Sequence, residues 1–219
     1  MIDPRIHLLH LASPALPVGA YAYSQGLEYA IEADWVRDDE LKTWLRDGLQ
    51  LGVAHLDLPI LRRALSAFEA QDNDALEAWN LRLLAHRETA ELLLEDQQIG
   101  RALWRLLRSL HDKPLPELSQ DPGYAVAFAV ACGLWKVGPR EACEAFCYAW
   151  LENQVTAATK LVPLGQTAAQ RLLLELMREI DPACAAAETV ADEHIGMSLP
   201  GLAFASCRHE HQHTRLFRS

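Results

Sequence analysis

What this sequence lacks narrows it before any motif is considered. Its five cysteines, Cys132, Cys143, Cys147, Cys184 and Cys207, form no C-x-x-C pair, and their odd number and small apolar neighbours argue against a disulfide framework or a cysteine-built zinc site. They are expected to be buried, reduced thiols in a reducing cytoplasm. No basic stretch followed by a long apolar run opens the chain, so no signal peptide is expected. No uncharged apolar run reaches the ~18 residues that span a bilayer, and the stretch from Tyr124 to Trp135 stops between Pro122 and Lys136. The G-x-x-x-x-G-K-[ST], G-x-G-x-x-G and G-x-S-x-G patterns are absent, which removes the usual phosphate-loop, dinucleotide and hydrolase-elbow chemistries. Positive charge is also short: 20 Lys and Arg against 30 Asp and Glu give a net charge of −10, which repels a nucleic-acid backbone. A soluble protein with neither nucleic acid nor membrane as partner is the expectation.

What is present is helix. Half of the 219 residues are apolar, enough for one sizeable core in one domain. Apolar residues recur at helical spacing, as in Leu41, Trp44, Leu45 and Leu49, in Leu58, Leu61, Leu65 and Phe68, and in Ile99, Leu103, Leu106, Leu107 and Leu110. No run of four to eight residues alternates apolar and polar between turn residues, so strands are not expected. Breaks are marked by Pro14, Pro17 and Gly19, by Pro59, by Asp74 with Glu77 as a capping-box variant, and by Asp121-Pro122, Gly138-Pro139, Pro163 and Asp181-Pro182. The reading is an all-α, strand-free, single-domain bundle of about eight to ten helices. The span 111–123, with three prolines, is its longest loop.

Candidate chemistry is sparse. The charged runs Arg87 to Glu91 and Leu94 to Gln98 read as solvated helix faces, or as contacts to a partner subunit. Cys143 and Cys147, one turn apart, read as core filling. In "YAYSQGLE", residues 21–28, a polar cluster follows a Pro/Gly-rich segment that should lie at the surface. The run His209-Glu210-His211-Gln212-His213 spells H-E-x-x-H, the zinc-peptidase pattern, in which two histidines one helical turn apart hold the metal and the glutamate polarises its water. Here it is followed by only six residues, with no downstream ligand and with Glu193 or His194 as the nearest upstream candidates. A zinc-dependent hydrolase is therefore the weakest reading. Weak divalent-metal binding by His209, His211 and His213, as in a nickel carrier, is the milder one.

The stretches "LASPALPVGAYAYSQGLEYAIE" (11–32), "LDLP" (56–59), "RETAELLLEDQQIG" (87–100), "ENQVTAATKLVPLGQ" (152–166) and "HEHQHTRLFRS" (209–219) together resemble the UreF family of urease accessory proteins, from about Leu8 to Ser219. The resemblance implies an all-helical, non-enzymatic protein without a cofactor of its own, usually dimeric. Such a protein works with UreD (UreH in some organisms) and the GTPase UreG to load nickel into the urease apoprotein. The resemblance also implies partner-binding roles for Tyr21, Tyr23, Ser24, Gln25, Glu28, Lys160, Gln166, His209, Glu210, Gln212, Arg215, Leu216, Phe217 and Arg218. Among these it points to Glu28 and Lys160 for routing nickel and timing GTP hydrolysis by the partner. The family's closing pattern has a tyrosine where His213 stands, a serine at Thr214 and a variable residue at His211, so the last histidine of the apparent zinc motif is not a required ligand. Ala22 stands where a second hydroxyl is common.

The closing segment is locally basic, with Arg208, Arg215 and Arg218 around an apolar Leu216-Phe217 pair, a combination common at interface hot spots. Too short to bury itself, it is expected to be a mobile docking tail, about 206–219, that orders when UreD binds. The N-terminus, about 1–7, is expected to be mobile as well.

Overall fold

The computed structural model describes residues 2–112, 114–196 and 198–219, with all of their side chains except those of Asp38 and Asp39. The chain is all-α, without strands among the described residues. Two short helices come first, α1 (Pro4–Leu11) and α2 (Leu27–Glu32). Nine of ten residues or more follow among the described residues: α3 (Asp38–Asp47), α4 (Asp57–Glu69), α5 (Asn73–Ala85), α6 (Ala90–Leu110), α7 (Tyr124–Leu134), α8 (Pro139–Leu161), α9 (Gln166–Leu176), α10 (Ile180–Thr189) and α11 (Pro200–His209). A π-helical turn, Gly48–Val53, continues α3. No described helix is long and apolar enough to cross a membrane.

The bundle is organised around α7. Every side chain from Ala125 to Cys132 is 0% exposed, as expected of a helix that is apolar on all sides and therefore must be surrounded. Helices α4, α6 and α8 supply the surrounding faces. Phe128 of α7 meets Phe146 of α8 edge to face, with ring centroids 5.3 Å apart. The small residues of α7 let its neighbours approach closely. At Gly100 on α6 a Cβ would lie 2.0 Å from the Pro122 carbonyl oxygen, so only glycine lets α6 pass the loop that feeds α7.

Local chemistry explains the boundaries, with some corrections to the sequence reading. Pro139 opens α8 at its first position, where a missing N–H leaves no helical bond unmade. Pro59 and Pro182 stand in the first turns of α4 and α10 for the same reason and do not end helices. The cap of α5 is Asp72, whose carboxylate accepts the Ala75 N–H at 2.9 Å; Asp74, the expected cap, lies inside the first turn. The loop between α6 and α7 falls where the prolines placed it.

Of the N-terminal segment expected to be mobile, Met1 lies outside the described residues and the chain is helical from Pro4. Asp3 caps α1 through the Arg5 N–H at 2.9 Å, and His7 stacks on Trp135 at 4.7 Å. Four cysteines are buried, but Cys207 on α11 is exposed, on the side of the helix turned away from α2 and α6. Burial pushes the Cys143 thiol up to about 12.

Candidate functional site

Three helix ends converge where the C-terminal segment lies. Gly26 begins α2 with φ +77°, and a Cβ there would sit 2.9 Å from the Ser206 backbone nitrogen, so glycine both makes the turn and admits α11. Thr89 caps α6 by accepting the Leu92 N–H at 3.1 Å, and its hydroxyl meets Ser206 of α11 at 2.7 Å. On α6 the inward stripe Leu107, Leu103 and Ile99 is continued at the same four-residue step by Glu95 and Glu91. The helix therefore turns an acidic end toward α2 and α11 without rotating. Glu91 and Glu95 are 9% and 4% exposed.

The tail fills this acidic end. His209, fully buried, places Nδ1 at 2.8 Å from Glu91 Oε2 and Nε2 at 3.0 Å from Glu28 Oε2. Both contacts are satisfied together only by a doubly protonated ring or by a carboxyl that keeps its proton. Glu28 also accepts the backbone N–H groups of Leu216 at 2.7 Å and Phe217 at 3.0 Å. The Arg215 guanidinium donates to Glu91 Oε1 at 2.7 Å. The Ser219 backbone oxygen accepts from both the Ser24 N–H and its hydroxyl, each at 2.7 Å, and the Ser219 hydroxyl donates to Glu95 at 2.6 Å. Gln25 links Glu95, at 2.8 Å, to the Trp150 indole, at 2.9 Å. Lys160, exposed on the last turn of α8, holds Nζ 5.2 Å above the Phe217 ring. Burial raises the Glu95 carboxyl to about 7, against the opposing hydrogen bonds from Ser219 and Gln25.

A second ionic cluster lies beside the first. Arg87 donates to Asp57 and, at 3.1 Å, to Asp96, which also accepts the Tyr124 N–H at 3.0 Å at the start of α7. Burial raises the Asp57 carboxyl, with Arg87 pulling the other way. Burial also works against the Arg87 guanidinium, but the two aspartates outweigh it and hold it protonated beyond its usual range. Asp96 Oδ2 and Arg87 Nε have no hydrogen-bond partner among the described residues.

The structure brings together most of the residues singled out in the sequence and redistributes their roles. Tyr23, Ser24 and Glu28 are buried, so the surface placement expected of residues 21–28 holds for Tyr21, 65% exposed, but not for these three; His209 and Phe217 of the tail are buried as well. The tail expected to be mobile is packed instead, because Glu28, Glu91 and Glu95 offer buried acceptors matched to its histidine, arginine and backbone donors. Gln212 is held by Glu32, Gln25 by Glu95, and Arg218 by its own N–H on the Ala22 carbonyl at 2.8 Å. Glu210, His211 and His213 are exposed, and so is Gln166 at the start of α9, which makes no hydrogen bond to the tail among the described residues. The H-E-x-x-H spacing does not become a helical face, since α11 ends at His209. The charged run of α6 is no solvated face. The residues that sequence reasoning missed there, Glu91, Glu95 and Asp96 with the nearby Arg87, leave one signal in the sequence, an acidic continuation of an apolar stripe.

Known proteins share this sequence along its whole length. A protein-family model described as UreF matches residues 36–177. Among curated relatives, a urease accessory protein UreF from Teredinibacter turnerae is 50% identical, with 100% of both chains covered. Proteins of the same name from Chromohalobacter salexigens and Alkalilimnicola ehrlichii are 48% and 47% identical; the matches cover 97% of this chain in both cases, and 93% and 94% of those proteins.

Proposed function

The chain belongs to the UreF family of urease accessory proteins, and on that premise we propose that it is a non-catalytic scaffold for loading nickel into urease. It acts in the cytoplasm, paired with a second copy of itself. It binds UreD, called UreH in some organisms, and through that complex recruits the GTPase UreG and reaches the urease apoprotein. Nickel is cargo in this reading.

The observation that carries the reading is how the buried carboxylates are used. Glu28 and Glu91 are both occupied in holding the C-terminal segment, which leaves neither of them free to act as acid, base or nucleophile. What the frame presents outward is a fixed surface, with Leu216 68% exposed two residues before Arg218, and with Tyr21, 65% exposed, lining a groove together with Arg218. An exposed apolar and arginine surface on a fixed backbone suits recognition by a partner, since ordering entropy has already been spent within the chain. Buried Glu28 and His209 then serve a partner indirectly, by fixing the backbone that carries Leu216.

Co-purification with UreD and UreG, followed by urease activation in vitro, tests the proposal. Wild-type protein is expected to enter the complex, and removal of Arg215–Ser219 to abolish both complex formation and activation. Unchanged co-purification of the truncated chain would overturn the docking role. Tight stoichiometric nickel binding by the isolated protein, lost in a His211→Ala/His213→Ala variant, would favour a carrier instead.

A further inference from the structure

The outer side of α6 carries a feature the tail frame does not use. Arg101, Arg105 and Arg108 recur at steps of four and three residues, which sets them on one exposed face over about 10 Å of helix. Open grooves of about 500 Å³ flank this ridge on both sides. One is walled by the turn at Val18 to Tyr23 and closed by Arg218 from the tail. The other is walled by the loop from Leu118 to Pro122. Arg101 is paired with Asp121 at 2.7 Å, whereas Arg105, Arg108 and Arg218 have no carboxylate oxygen within 4.0 Å among the described residues. Three such guanidinium groups on one face stand out in a chain of net charge −10.

We propose that this arginine ridge, completed by Arg218 of the C-terminal segment, docks a carboxylate-rich segment of a partner protein. Charge complementarity selects the occupant. Guanidinium forks pair with carboxylates in two-point fashion, and the exposed Tyr21 ring at the groove edge adds the aromatic neighbour common at such contacts. A long polyanion such as nucleic acid would extend beyond the ridge over a chain of net charge −10, while a short acidic peptide would not. The groove also depends on the tail. Arg218 is positioned by its N–H on Ala22 and by a guanidinium contact of 3.5 Å to Gln98, so it leaves the groove when the tail leaves its frame. Partner docking on α6 thereby reports whether the tail is seated. This inference rests on the ridge together with the seated tail, and stands whether or not the partner belongs to the urease system.

The test is a fluorescence-anisotropy titration of the full-length protein with fluorescein-labelled octaglutamate at low salt. Saturable binding is expected, lowered about tenfold or more by Arg105→Glu/Arg108→Glu. The equal charge change Arg171→Glu/Arg178→Glu, on an exposed part of α9 and the turn after it, should leave affinity within about twofold. Arg218→Ala and Glu28→Ala should both weaken binding by a similar, smaller factor, with circular dichroism showing retained helix. Absence of saturable binding, or equal losses in the two double reversals, would overturn the proposal. So would concentration-dependent self-association abolished by Arg105→Glu/Arg108→Glu, because it would place a second copy of this chain in the groove.

Discussion

Two buried ionic clusters, a short way apart along α6, do opposite work with the same chemistry. The inner one joins Asp57 of α4 and Asp96 of α6 through Arg87, on the connection between α5 and α6, and ties α4, α6 and the start of α7 together. The outer one joins Glu28, Glu91 and Glu95 to His209, Arg215 and Ser219, which arrive on the last turn of α11 and the segment beyond it. Removing a partner from the inner cluster leaves an unpaired charge between α4, α6 and the start of α7, and no movement of the tail relieves it. Removing one from the outer cluster leaves a charge that water reaches once the tail lifts. Connectivity, more than the number of hydrogen bonds, separates a structural ion cluster from a releasable one.

The comparison can be broken most directly at Arg87. Arg87→Ala should cost about 3–5 kcal/mol, because it strands two buried carboxylates, and urea unfolding should show the loss across the whole transition. If the midpoint moves no further than for a tail variant, the two clusters are equivalent and the distinction fails. The next effect is a pH dependence. Glu95 titrates near 7 when folded, against 4.5 for the ordinary group, so its contribution is fully present below about pH 4.5 and is lost as pH rises through 7. Glu95→Gln should flatten the fall in melting temperature between about pH 5 and 7.5, by an amount corresponding to at most ~3 kcal/mol.

Smaller effects sharpen the contrast. Glu28→Ala should raise amide exchange over residues 210–219 by at least about tenfold while α7 stays protected, since the tail opens before the bundle does. Equal acceleration in both regions would mean that the tail is part of the global cooperative unit. Lys160→Ala removes an exposed cation from the Phe217 ring and should cost about 0.5–1 kcal/mol of tail closure, read from the same exchange rates. His211→Ala/His213→Ala should fall within about 0.5 kcal/mol of wild type in thermal melting, because both side chains lie at the surface.

The bundle is largely legible in the sequence. Apolar residues at helical spacing mark α3, α4 and α6, and the wholly apolar stretch from Tyr124 marks the central helix. The ends are less legible. Pro59 and Pro182 read as breaks because proline stops a helix from within yet suits its first turn, and sequence spacing alone does not distinguish the two positions. The site is legible as a set of stretches but not as a shape. The tail's donors are visible, whereas their acceptors lie far away in the chain: His209 meets Glu28 across 181 residues and Glu91 across 118. A charged run on an amphipathic helix normally faces water, and only the convergence of α2, α11 and the closing segment turns Glu91 and Glu95 into interior groups. Mobility is what the tail's own length implies when the pocket that receives it is left out.

Cys207 gives this architecture a ready spectroscopic handle. It is the one exposed thiol among five, while burial deprives its four counterparts of access. A maleimide dye should therefore attach at a single point without mutagenesis, on the helix two residues before His209. An environment-sensitive fluorophore placed there would follow seating and release of the C-terminal segment in real time, turning an equilibrium otherwise read by exchange into an optical signal.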